Sequence, residues 1–113
     1  MHELSLAQSL AELVEAEARK AGASRVTLVR LALGALGNVE ADAMRFCFDA
    51  ATRGTLAEGA VFDVVTMPGA GWCLDCAHTV PLAQRFGACP DCGGERVRMI
   101  AGDELRLTEL EVE

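Results

Sequence analysis

Leu6, Leu10, Leu13 and Val14 recur at helical spacing near the start of the chain, and Ala18 and Ala21 continue the stripe. Glu12, Glu15, Glu17, Arg19 and Lys20 fill the positions between, so the pattern predicts one amphipathic helix. Ser5 and Gln8 stand three apart, as in a capping box, which places residues 1–4 ahead of the helix. Gly22 offers a left-handed stop. Residues 25–33 are rich in Val, Leu and Thr and read as a strand. Both alternating faces are partly apolar (Val26, Leu28 and Ala32 against Val29, Leu31 and Leu33), which predicts cover on both sides.

Gly34 and Gly37 bracket a turn, and Asn38 is the expected cap of a second helix running from 39 to about 53. Glu40 and Asp42 fall in its first turn, where they suit the helix dipole, and Met44, Cys47, Phe48 and Ala51 form its apolar stripe. Residues 60–67 form a second strand, ended by Pro68-Gly69. From 71 to about 98 no strong period appears. Residues 105–112 alternate as a last strand, with a slip between Leu107 and Leu110 that reads as a bulge. The order predicts an α+β fold: a small sheet with two helices, plus a four-cysteine, zinc-ribbon-like lobe inserted before the last strand. The expected division is an α/β domain of residues 1–68, completed by 103–113, and a lobe of residues 69–102.

Composition adjusts this picture in two ways. Aromatic residues make up only 4% of 113, so a core of Leu, Val and Ala gains from a metal staple. The net charge is −7 with no basic run, which argues against a phosphate-binding surface and suits cation capture and basic protein partners. Neither a leader pattern nor a long uninterrupted apolar span occurs, and the expected location is the cytoplasm.

Five cysteines include two C-x2-C pairs, Cys73-Leu74-Asp75-Cys76 and Cys89-Pro90-Asp91-Cys92, with twelve residues between them. Two such turns present four thiolates tetrahedrally, the geometry of a closed structural zinc site with no position left for substrate. Iron in the same sulfur set stays chemically open. Gly93 supplies a left-handed residue after Cys92, and Pro90 stiffens that turn. His78, two residues beyond Cys76, reads either as a neighbour that perturbs the site or as a solvated surface histidine. Cys47 reads as a small buried side chain on its helix.

The chain opens Met1-His2-Glu3, which sets an imidazole within chelating reach of the terminal amine and its own amide nitrogen. Nitrogen-rich planar or tetragonal sets of that kind suit Ni(II) or Cu(II). Taken alone the signal is weak, because a histidine at position 2 is more often a mobile terminal residue.

Met1-His2-Glu3 together with the cysteine motif resembles the HypA/HybF family of nickel metallochaperones for NiFe-hydrogenase maturation. Residues 34–40 (GALGNVE), 46–49 (FCFD), 55–59 (TLAEG), 89–93 (CPDCG) and 102–107 (GDELRL) agree in the same order, over nearly the whole chain. The resemblance implies a nickel site centred on His2, with Met1, Glu3 and Glu40 as candidates for further contacts, and zinc on Cys73, Cys76, Cys89 and Cys92. It implies delivery of Ni(II) cargo to the hydrogenase large-subunit precursor, in concert with a nickel-handling GTPase. It leaves open a homodimer and a supply of nickel to urease.

Two other classes compete. A zinc-ribbon interaction or nucleic-acid-binding module without nickel cargo would need a basic face and more aromatics. A metal enzyme would need an open coordination position and a poised acid or base, whereas the four-cysteine site is closed and His78 is the only histidine besides His2.

Overall fold

A computed structural model of the chain describes residues 2–113. The order is α1 (Glu3–Lys20), β1 (Val26–Gly34), α2 (Ala41–Ala51), β2 (Val61–Met67), β3 (Gly69–Cys73), β4 (His78–Leu82), β5 (Val97–Ala101) and β6 (Leu105–Val112). Two compact units result. The first holds the chain up to Leu31 with Val39–Val65 and Arg106–Glu113; the second holds Ala32–Asn38 and Thr66–Leu105.

α1 begins three residues earlier than a cap at Ser5 would allow. The Leu6 amide already donates to the His2 carbonyl at 3.0 Å, and Glu3 sits in the first turn, where a carboxylate meets the positive end of the helix. Ala7, Leu10, Ala11, Val14 and Ala18 are buried, while Leu13 remains 46% exposed. The stripe is thus rotated toward its alanines, whose small side chains let the helix lie close to its neighbours. At the other end Gly22 turns left-handed at φ +70° and the Ala23 amide reaches back to Ala18, satisfying carbonyls the helix leaves open.

α2, by contrast, starts later than expected. Asn38 is left-handed at φ +57° and caps nothing; Glu40 is the cap, its carboxylate accepting from the Ala43 amide at 2.6 Å. Asn tolerates that backbone better than most residues, so it serves the turn and leaves the cap to the next polar side chain.

A three-stranded sheet has the order β2-β1-β6. Arg30 pairs with Asp63 and the Ala35 amide with the Met67 carbonyl, numbers that rise together, so β1 and β2 run parallel with α2 as their crossover. Ser24 meets Glu113 and Gly34 meets Glu104, so β1 and β6 run antiparallel. In the first unit one core joins α1, Val26, Val29 and Leu31 of β1, Met44 and Phe48 of α2, and Ala57. Leu107 and Leu110 both pack against it although three residues apart, which requires β6 to change face between them. The expected double cover of β1 holds from Leu31 onward; Leu28 and Arg30 are only half-buried on the other face.

The second unit contains an antiparallel sheet of order β4-β3-β5, in the stretch that shows no period in sequence. Cys73, Val80 and Cys89 are its buried cluster, with Cys76 and Val97 packed against it. Gly71 lies beneath the side chains of Val97 and Leu82, which would stand 2.6 and 2.8 Å from an added Cβ. Only glycine lets these strands close over their core.

Candidate metal centre

Cys73 ends β3 and faces His78 at the start of β4, so the first cysteine turn is the hairpin between those strands. The Cys76 amide points at Cys73 Sγ (3.3 Å), and the Ala77 amide closes the turn on the Cys73 carbonyl (2.8 Å). The second turn repeats this pattern between β4 and β5. The Asp91 amide points at Cys89 Sγ (3.4 Å), the Gly93 amide bonds the Cys89 carbonyl (2.8 Å), and the Gly94 amide points at Cys92 Sγ (3.4 Å). In both turns the residue after the second cysteine is left-handed: Ala77 at φ +58° and Gly93 at φ +72°. The sequence shows the glycine but hides its counterpart, because alanine carries no such signal; only the echo between the two motifs points to it.

The turns bring all four sulfurs within 4.8 Å of one another. Cys73 and Cys92 are 3.7 Å apart, and Cys76 and Cys89 are 3.9 Å apart. Zn–S bonds of about 2.3 Å in a tetrahedron put sulfurs about 3.8 Å apart, whereas a disulfide needs about 2 Å. The donor set therefore fits zinc. The Cys76 amide is the largest influence lowering the Cys73 thiol to about 7. Cys76 is pushed up, first by its contact with the Cys92 sulfur and then by desolvation. Four thiolates this close need a cation to coexist.

Around the sulfurs, the Leu74 amide donates to the Arg96 carbonyl at 2.9 Å and the Arg96 guanidinium pairs with Asp75. That pairing holds the Asp75 carboxyl below its ordinary range. Sequence reading passes over Arg96, since nothing in its neighbourhood marks a partner across the sheet. His78 Nε2 lies 3.6 Å from Asp91 Oδ2, an exposed pair joining one cysteine turn to the other. Cys47 packs half-buried against the core of the first unit, as its place on α2 expects.

At the other sequence-predicted site, His2 is exposed at the N-cap position of α1, and its side chain caps nothing. The first amides of a helix have no partner within it, so an α1 that starts at Glu3 still leaves the His2 and Glu3 nitrogens outside the ladder. The Glu3 carboxylate accepts the Glu40 amide at 3.3 Å. Its own backbone N–H, then that of Glu40, hold its carboxyl below the usual range. Glu3 thus ties the start of α1 to the cap of α2, and Glu40 is engaged with Ala43. Met1, the remaining residue expected here, lies outside the described residues.

A family model described as "Hydrogenase/urease nickel incorporation, metallochaperone, hypA" matches residues 1–112. The chain belongs to the HypA family. A hydrogenase maturation factor HypA from Methylocella silvestris is 59% identical over 113 residues, covering 100% of both chains. One from Dechloromonas aromatica is 50% identical over the same full length. Among solved structures, the solution structure of the Ni metallochaperone HypA from Helicobacter pylori superposes with a TM-score of 0.73 at 30% identity, covering 99% of this chain and 97% of that one. A second solution structure of a HypA protein gives 0.75 at 29% identity, covering 100% and 97%. The α+β fold with a four-cysteine second sheet is therefore the HypA fold, and the chain is a hydrogenase-maturation nickel metallochaperone rather than an enzyme. No described helix is long and apolar enough to cross a membrane.

Proposed function

We propose that this chain carries Ni(II) on its N-terminus, through the His2 imidazole and the nitrogens at Met1, His2 and Glu3. It delivers the ion to the NiFe-hydrogenase large-subunit precursor, in concert with a nickel-handling GTPase. What supports this most directly is the exposed His2 at a helix start, beside amides that the helix does not use. Square-planar and tetragonal nitrogen sets suit Ni(II), and a site made of terminal, exposed groups gives its cargo up readily.

In this reading the two metals have separate hosts. Residues 1–68 with 103–113 hold nickel, and residues 69–102 hold zinc on Cys73, Cys76, Cys89 and Cys92. Zinc there is structural, because four sulfurs close its coordination sphere. Glu3 and Glu40 act on nickel from outside its ligand set, since both carboxylates already accept backbone amides. The protein works in the cytoplasm, in keeping with five cysteines that form no disulfide.

Calorimetric titration of Ni(II) into zinc-loaded protein tests the carrier reading, beside His2→Ala and a version extended before Met1. One saturable site lost in both variants is the expected result. Undiminished binding in His2→Ala would remove the N-terminus as the cargo site.

A further inference from the structure

The sheet of the second unit has two faces, and only one is used by the cysteine cluster. Gly71 and Cys73 of β3, with Val80 and Leu82 of β4, point into the buried side. Alternation and register put Ala70, Trp72, Thr79, Pro81 and Arg98 on the other face, with Ile100 added where the β3–β5 register shifts. That face is open: Trp72 is 40% exposed and Ile100 is 54% exposed. Trp72 is the chain's single tryptophan, and its register partners are Thr79 and Arg98.

Two features mark this face as more than ordinary surface. Tryptophan and arginine at the middle of an apolar patch are the residues most enriched where protein partners bind tightly. Arg98 has no carboxylate partner among the described residues, although acidic side chains outnumber basic ones 17 to 10 in the chain. Arg96, two residues away, is paired with Asp75 and so is not available in the same way. The charge left open on this face is positive, and none of the residues that form the face is acidic. A second copy of the same face therefore offers Arg98 nothing to pair with. One arginine and one aromatic also make no track for a nucleic-acid backbone.

We propose that the Trp72–Arg98–Ile100 face docks a protein surface on which an Asp or Glu stands among apolar side chains, and that this surface belongs to the protein receiving the nickel. The second clause rests on the carrier reading above. A carrier must stay attached to its recipient while the cargo leaves, and a contact on the cysteine-bearing unit does not use the groups that hold the ion.

The single tryptophan makes the test direct. Protein labelled with 5-fluorotryptophan carries one 19F reporter, at Trp72, and is titrated with purified hydrogenase large-subunit precursor. The resonance should move saturably, and Arg98→Glu should weaken the association about 30-fold or more, the size expected for a hot-spot charge. Arg98 is exposed and unpaired, so this variant should keep its zinc and its melting temperature. Binding of the precursor with an unmoved resonance would overturn the proposal, as would equal affinity in Arg98→Glu. A resonance that moves with protein concentration alone would assign the face to self-association and overturn it too. Nickel titration of the same samples separates the two readings: normal uptake at His2 without docking overturns the face and leaves the carrier standing.

Discussion

Single residues carry unusual backbone demands in the cysteine turns. Ala77 occupies a left-handed position that Gly93 fills in the matching turn, at φ +58° against +72°. A Cβ in that region costs roughly 1–2 kcal/mol, and glycine returns part of this as extra freedom in the unfolded chain. Ala77→Gly should therefore raise stability by about 0.5 to 1 kcal/mol in urea melts of the zinc form; a loss would mean the alanine methyl has a packing role. Glu3 gives a residue-scale prediction in pH. A carboxyl held below its ordinary range stabilises the fold above that range, and the contribution disappears as pH falls through the lowered value. In an NMR titration the Glu3 carboxyl should show a depressed midpoint, and the Glu40 amide should shift with it. An ordinary midpoint would mean the tie between the two helix starts is not made.

At the scale of elements, legibility followed periodicity. The α1 stripe, the second helix, β1, β2 and β6 all show in the hydrophobic pattern, and even the face change between Leu107 and Leu110 is visible there. β3, β4 and β5 are not. β3 reads Gly-Ala-Gly-Trp-Cys: its buried positions are glycines and a cysteine of the four-sulfur cluster, and its largest apolar residue points outward. A period-2 search scores such a strand backwards. What holds these strands in register is the pair of cysteine turns, so the chemistry was legible and the sheet built on it was not. The caps failed for a different reason. Ser5 and Asn38 are good caps in isolation, yet α1 is already helical from Glu3, which puts Ser5 inside it, and the Glu40 carboxylate takes the Ala43 amide at the start of α2. Glu40→Ala should cost about 1 kcal/mol of stability, the usual effect of losing a cap, and the zinc site should be indifferent to it. Loss of zinc in that variant would show that the cap matters beyond its helix.

For the whole molecule, the two units are stabilised in different ways. The first has a continuous apolar core that joins both helices to β1. The buried cluster of the second contains Cys73 and Cys89 beside Val80, so its apolar interior is largely made of groups assigned to the metal. Binding energy at a structural zinc site is folding energy. A strong chelator, or Cys73→Ala, should accordingly remove amide protection from β3, β4 and β5 while the helical circular-dichroism signal persists. Helix and strand signals lost together would mean the two units unfold as one.

β6 pairs with β1 across most of the chain's length, as the bond from the Ser24 amide to the Glu113 carbonyl shows. Every cysteine of the second sheet precedes β6 in sequence, and a ribosome makes the chain in that order. All four sulfurs thus leave the ribosome ahead of β6, while the first sheet still lacks its edge. Metallation of one unit can then precede the final folding of the other, and cells short of zinc would meet that difficulty as the chain is released, before any nickel is handled.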